Sequence, residues 1–539
     1  MRYSKQFMAA LSIALLLIGC KNSPQDNTAE RPNIIFIMSD DHAYQALSAY
    51  ESSLIKTPNL DKLARQGMRF DRAFVSNSIC SPSRAVALTG KFSHLNSVKD
   101  NLDIFDSTQV TFPKILQQNG YETAIVGKWH LKSEPTGFDF WKVLPDQGDY
   151  YQPDFRTANG MVTEQGYVTD VITDIAIEYL DEQRDNSKPF LLMYHHKAPH
   201  REWMPAMEYL DAYHDEKIAE PVSLFDTYEN RGAAAREAEM RISDHMGLSN
   251  DNKIDPKNLT SEEFMGWYTW AYEKNIKRLT SQEAEKWEAV YGPINRDFVE
   301  KDLKGDELTR WKYQRYMQDY LATILSIDDN IGRLLDYLDS SGLAENTLIV
   351  YTSDQGFYLG EHGWFDKRFM YEESFRTPLI VRWPGKVKPQ TVNTDLVQNI
   401  DFAPTFLSAA GIQPPEEMQG QSILPLLKGE EVAWRDALYY HYYEYPGIHA
   451  VKRHYGIRTD RYKLIHFYYD IDEWELYDLE SDPAEMKNVY DETEYAAIKA
   501  QLHIKLNELR EQYGDSDDLA LEMLDADLER LKAKEEEGN

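Results

Sequence analysis

From Asn33 to Ala410, short apolar runs alternate with helically patterned stretches, and a proline, a glycine or an acidic pair marks most of the switches. The runs Asn33–Met38, Tyr121–Val126, Pro189–Tyr194, Thr347–Thr352 and Arg376–Arg382 are nearly continuous in apolar residues, which predicts strands buried on both faces. Between them, helices are predicted from Thr57-Pro58 to Gly67, over Pro113–Asn119 with Gly120 as its stop, and over Val168–Gln183. A long helix is expected from about Trp311 to Asp339, closing at Gly342, and a shorter one over Asp401–Ala410, ended by Gly411. Such alternation predicts an α/β fold, a large mixed sheet sandwiched by helices. The charged and aromatic stretch 205–308, which holds Trp267, Trp270 and Trp287, breaks the rhythm. It reads as a helical insertion over the sheet edge, either the wall of a cleft or a solvated decoration. Beyond Gly429 the texture changes to tyrosine-rich strands, Leu438–Tyr443 and Tyr462–Phe467, followed by a helix over Ala496–Tyr513. Residues 429–515 are thus expected to form a small antiparallel sheet with a helix on it, and 516–539 a charged helix or frayed tail.

Composition changes this picture in three ways. A length of 539 residues with 42% hydrophobic content has room for one large domain, placed at 31–428, and a smaller one. A net charge of −32 argues against nucleic acid as a partner. There are two cysteines, Cys20 and Cys80, and each has a better reading than a disulfide to the other. Arg2 and Lys5 precede an apolar stretch, Phe7–Ile18, that ends in Leu17-Ile18-Gly19-Cys20. This pattern is that of a bacterial secretory signal (1–20) closed by a lipobox. Cys20 is the expected lipidated residue, 21–30 a polar tether, and the location the bacterial cell envelope.

Candidate chemistry gathers at the carboxyl ends of the expected strands, where open α/β sheets hold their ligands. Asp40-Asp41-His42 follows the first strand and Asp354-Gln355-Gly356 the strand ending at Thr352. Three carboxylates and an amide oxygen are hard ligands that suit Ca²⁺, or Mg²⁺, rather than zinc. Gly127-Lys128-Trp129-His130 adds a fixed cation and a proton carrier, and His195-His196-Lys197-Ala198-Pro199-His200 a histidine-rich run. Phe365-Asp366-Lys367-Arg368 follows closely enough to bring Lys367 to the same cleft. Between the two acidic motifs in sequence lies Cys80-Ser81-Pro82-Ser83-Arg84, with Leu88-Thr89-Gly90 beyond. Ser81 as N-cap and Pro82 at the first position predict a helix over Pro82–Leu88 with Cys80 at its positive end. Arg84 would then offer a bidentate fork to an oxyanion.

The string from Cys80 to Gly90 resembles the maturation signature of the type I sulfatases, Cys-x-Pro-Ser-Arg followed by Leu-Thr-Gly. The resemblance extends from Arg31 to about Val489 and includes the closing pattern Leu476-Tyr477-Asp478-Leu479, Asp482-Pro483 and Asn488. It implies an alkaline-phosphatase-like fold and a cysteine, Cys80, oxidised by a host maturation enzyme to formylglycine (3-oxoalanine), whose hydrate attacks sulfate esters. It also implies that Asp40, Asp41, Asp354 and Gln355 hold Ca²⁺ together with an oxygen of modified Cys80. Arg84 and Lys128 would support the hydrate and the sulfate, and His130 would take the hydrate proton. His200 and Lys367 would contact the sulfate and protonate the leaving oxygen. Gln355 departs from the asparagine or histidine frequent at its position. The segment Pro135–Asp139 with Trp141, Leu144-Pro145 and Gln147–Tyr151 looks similar to bacterial glycan sulfatases, particularly those for sulfated amino sugars, and implies a sulfated oligosaccharide substrate. Two rivals stay open, a phosphodiester or phosphonate monoester hydrolase of the same superfamily and a glycan-binding surface lipoprotein with an inactive site.

Overall fold

The computed structural model describes residues 31–260 and 266–537, so the expected signal segment, the tether and Cys20 lie outside the described residues. Eleven strands form one mixed sheet. Its parallel centre consists of β1 (Asn33–Ser39), β3 (Glu122–Lys128), β4 (Phe140–Leu144), β7 (Phe190–His195) and β8 (Thr347–Ser353), in the order β8-β1-β7-β3-β4. On one side β9 (Arg376–Arg382) and β2 (Met68–Phe74) continue it antiparallel, with β10 (Thr391–Asn393) and β11 (Val397–Gln398) pairing with β2. On the other side, the hairpin β5 (Asp154–Thr157) and β6 (Gly160–Thr163) closes the sheet. The expected central strands all form, some extended by one or two residues at the carboxyl end. The pairing of β1 with β8 puts Ser39 opposite Ser353, so that the acidic motifs emerge side by side.

Helices cover both faces. Ile35 and Ile37 of β1 point into a core shared with the 37-residue helix Gly305–Ser341, while Ile34 and Phe36 point into one shared with the helix Phe402–Ala409. All four side chains are buried, each stabilising the fold by about 1.5–3 kcal/mol. The helix expected from Trp311 begins six residues earlier, at Gly305. In the stretch 205–308 the helical expectation holds for the later part, Gly266–Ile276 and Ser281–Lys301. The earlier part, to Thr260, consists of loops, short turns and one five-residue helix, Ala233–Glu237, with side-chain contacts such as the Arg201 fork on Asp251 at 2.7 Å. Glycine, serine and asparagine there favour turns over a continuous helix.

A separate four-stranded antiparallel sheet follows, β12 (Ala437–Tyr442), β13 (His454–Thr459), β14 (Tyr462–Phe467) and β15 (Glu473–Asp478), with the helix Ala496–Tyr513 packed on it. The final segment is an ordered helix, Asp517–Glu537, rather than a frayed tail. Asp527 pairs with Lys99 and with Arg453, the latter at 2.8 Å, and Arg530 pairs with Asp100 and Asp103. Among the described residues no helix is long and apolar enough to cross a membrane.

Arg453 is 1% exposed, and the pair ties the last helix to the segment that leads into β13. Removing one member of a buried pair leaves the other charge stranded. Asp527→Ala should therefore lower stability by about 3 kcal/mol, read as a drop in the thermal or denaturant midpoint. A loss below about 1 kcal/mol, the level of an exposed pair, would show that the helix is not held at this point.

Candidate active site

The site lies where β1, β3, β7 and β8 release the chain, and it is organised around Cys80 in the first turn of the helix Cys80–Thr89. That helix begins earlier than expected: Ile79 is the N-cap, Cys80 is already helical, and Gly90 ends the helix in the left-handed conformation (φ 64°). Ser81 is therefore not the cap. Its hydroxyl donates to the His130 carbonyl at 2.6 Å and meets His130 Nδ1 at 3.3 Å, tying the helix start to the loop after β3. Cys80 is completely buried, and burial pushes its thiol up to about 12.

Three carboxylates converge beside it. One ligand oxygen from each of Asp40, Asp41 and Asp354 lies within 4.8 Å of the other two, and all three residues are buried. Asp40 Oδ1 faces Cys80 Sγ at 3.5 Å and Oδ2 pairs with Lys128. Asp41 adopts a left-handed backbone (φ 65°), which turns its carboxylate back toward Asp354, whose Oδ1 accepts from the Asp41 N–H at 3.2 Å. Asp41 Oδ1 accepts from Gln355 Nε2 at 2.6 Å and Oδ2 from Lys367 at 2.7 Å. Burial pushes Asp41 up to about 6, with Lys367 opposing and Asp354 and Asp366 adding to the rise. Gln355 Nε2 also faces Cys80 Sγ at 3.5 Å, while its Oε1 is buried without a hydrogen-bond partner.

The cations are committed to these carboxylates. Arg84, whose fork was expected to face an anionic ligand, pairs with a carboxylate. Its Nε and Nη2 both reach Asp354 Oδ2, at 3.0 and 2.8 Å, and Nη1 donates to the Lys128 carbonyl at 3.1 Å. A buried carboxylate without a partner is more costly than an unused fork, so the nearest acid takes it. Lys128 also donates to Gln147. Burial works against the Lys367 ammonium, but Asp41, Cys80 and Asp366 hold its pKa above the ordinary lysine value.

The two histidines here are neutral at pH 7. Burial, reinforced by the neighbouring Lys128, lowers both His130 and His200 well below the usual histidine range. His200 Nδ1 is bonded to the Arg201 carbonyl at 2.5 Å, which leaves Nε2 facing Asp41 Oδ2 at 3.8 Å. Gly127 lets β3 and β7 come together here: at φ 97°, any Cβ would collide with the His195 carbonyl.

The structure thus brings all ten expected positions other than Cys20 to one place: Asp40, Asp41, Cys80, Arg84, Lys128, His130, His200, Asp354, Gln355 and Lys367. Residues not singled out for this site from the sequence are Ser83, which donates to the Asp354 carbonyl, Asn399, which donates to Ser83 Oγ at 2.9 Å, and Tyr320, which donates to the Asp41 carbonyl at 2.7 Å. Only Ser83, inside the cysteine motif, carried a sequence signal. The donor set fits a hard divalent cation: close-packed buried carboxylates repel one another, and the orphaned Gln355 Oε1 is a further oxygen beside them.

A helix start and buried lysines facing hard-cation ligands at the carboxyl edge of an α/β sheet define a site for an oxyanion ester. Comparison with known proteins gives that class its name. The chain belongs to the sulfatase family, whose "Sulfatase" profile matches residues 32–412, and "N-sulphoglucosamine sulphohydrolase, C-terminal" matches residues 360–512. It is an enzyme that hydrolyses sulfate esters. It is 53% identical over 516 residues to an N-acetylglucosamine-6-O-sulfatase of Bacteroides thetaiotaomicron, covering 95% of this chain and 91% of that one. A solved structure of a protein in complex with its substrate D-glucosamine-2-N,6-O-disulfate superposes with a TM-score of 0.87 at 52% identity, covering 90% of this chain and 99% of that one. The phosphonate monoester hydrolase of Agrobacterium radiobacter shares the fold at 22% identity and a TM-score of 0.62, covering 90% and 96%.

Arg84→Lys keeps the charge but loses the fork that orients Asp354. Misplacement on the ångström scale costs on the order of 100-fold, so kcat/KM for sulfate release should fall by about that factor. A loss within about threefold would show that charge alone suffices at this position.

Proposed function

We propose that the protein removes the 6-O-sulfate of N-acetylglucosamine-type amino sugars released from sulfated polysaccharide, using formylglycine made from Cys80 and a bound Ca²⁺. The observation that carries this reading is the convergence of Asp40, Asp41 and Asp354 on Cys80 at a helix start. The similarity to an N-acetylglucosamine-6-O-sulfatase and to a glucosamine disulfate complex supports the substrate class. The phosphonate hydrolase likeness reaches only the fold, and the completeness of the constellation weighs against an inactive glycan-binding protein.

In this reading Asp40, Asp41, Asp354 and Gln355 would hold the Ca²⁺, which would offset negative charge on the sulfate oxygens. Oxidation of Cys80 supplies, as the aldehyde hydrate, a nucleophile that a thiol with its pKa near 12 does not provide at neutral pH. Lys128 pairs with Asp40, Lys367 opposes the rise of Asp41, and both offer further N–H donors to the sulfate. His130, steadied by Ser81, takes the hydrate proton. His200 is neutral in the free enzyme, and an anion arriving beside Nε2 favours its protonated form, so that it gains a proton with the substrate and gives it to the leaving oxygen. Arg84 acts through Asp354. Activity depends on a formylglycine-generating enzyme of the host. The same reading takes Cys20, after Leu17-Ile18-Gly19, as the lipid-bearing residue that holds the enzyme at the bacterial envelope; Cys20→Ala should then release the protein from the membrane fraction.

The deciding experiment is sulfate release from a panel of sulfated sugars and a phosphonate monoester, with Cys80 first confirmed by mass as the aldehyde. Release from 6-O-sulfated N-acetylglucosamine is expected; turnover of the phosphonate alone would overturn the reading. Excess chelator should abolish turnover and added Ca²⁺ restore it, whereas Cys80→Ala should show none under any condition.

A further inference from the structure

Beside the sulfate-binding centre lies a cation that the chemistry above does not use. Lys197 is on the loop that follows β7, three residues before His200, and is 1% exposed. Every other lysine or arginine placed at the centre has a carboxylate partner, as Lys128 has Asp40, Lys367 has Asp41 and Arg84 has Asp354. Lys197 has none: among the described residues no carboxylate lies within 4 Å and no acceptor bonds its ammonium, which sits 4.5 Å above the centre of the Tyr150 ring. The Tyr150 hydroxyl in turn holds the His200 carbonyl at 2.5 Å, so Lys197 and His200 are set by the same ring.

Two carboxylates stand farther off, and both are otherwise engaged. Asp149 pairs with Lys274 at 2.6 Å, and Glu202 accepts from Asn275 Nδ2 at 2.5 Å. Lys274 and Asn275 belong to the helix Gly266–Ile276, so the insertion comes up to the site here. Asn275 is also buried, and its Oδ1 has no partner. Lys197 lies within electrostatic reach of Asp41, Lys128 and His200, the groups around the sulfate. Glu202 links the two, bonded to Asn275 and within electrostatic reach of Lys197, and both the buried ammonium and the buried amide oxygen are incomplete in their hydrogen bonds. Burial lowers the Lys197 pKa, as expected for a cation awaiting an acceptor.

We propose that Lys197, with Glu202 and Asn275, forms the subsite that grips the polar substituents of the sulfated sugar, the ammonium donating to ring oxygens or an amide carbonyl and the two acceptors taking O–H or N–H. A donor within reach of acceptors suits the hydroxyl and amide groups of a sugar. The assignment rests on the sulfated-sugar reading above. It makes Lys197 a substrate-binding residue rather than part of the sulfate chemistry.

The test compares wild type with Lys197→Met on two substrates: the sulfated sugar of the panel that wild type hydrolyses best, and 4-nitrophenyl sulfate, which carries no sugar. The expected result is a fall of at least about tenfold in the ratio of kcat/KM for the sugar to kcat/KM for the aryl sulfate, arising mainly in KM. Glu202→Gln should move the ratio in the same direction, and thermal melting of both variants checks that the fold persists. Equal losses on both substrates, or an unchanged ratio, would overturn the subsite. Which sugar wild type hydrolyses judges the amino-sugar reading separately, since the ratio is taken on that sugar whatever it proves to be.

Discussion

Everything at this site depends on holding three buried carboxylates close together. β1 and β8 run parallel and in register, so Asp40, Asp41 and Asp354 must leave the sheet together. Burial and mutual repulsion both oppose that, as the rise of Asp41 to about 6 records. Lys128, Lys367 and Arg84 answer it, one cation to each acid. The surrounding structure serves those three contacts: Gly127 allows β3 to approach β7, Tyr320 steadies the Asp41 backbone, and Ser83 steadies that of Asp354.

The same arrangement resolves the conflict between a net charge of −32 and an anionic substrate. At physiological salt, exposed charges are screened beyond about 8 Å, whereas buried ones are screened far less. The acidic excess is thus a property of the outer surface. What an incoming sulfate meets is a pocket with buried lysines and a helix start.

The strands and the positions of the chemistry could be read from the chain because both are local. A near-continuous apolar run followed at once by Asp40-Asp41, or by Asp354-Gln355, states a buried strand and a ligand at its end within ten residues. What each side chain touches is not local. Arg84 reads as an oxyanion fork from its place one turn into the helix, and the acid it pairs with, Asp354, is 270 residues away. Ser81 has the form of an N-cap, but a buried carbonyl 49 residues on, at His130, takes its hydroxyl. The last segment reads as a charged helix or a frayed tail alike, since the charge that docks it, Asp527, finds Lys99 only across 428 residues. Turns built from side-chain contacts, as between Pro205 and Thr260, leave no periodicity to read.

Cys80 and Gln355 touch, yet 275 residues separate them along the chain. During synthesis at about 5–20 residues per second, the far side of the cluster emerges about 15–55 s after the cysteine does. For that interval Cys80 has neither Asp354 and Gln355 nor the strand β8 that carries them. The order in which the ribosome delivers the chain therefore opens a period in which this thiol is accessible to another enzyme, and the completion of the sheet closes it.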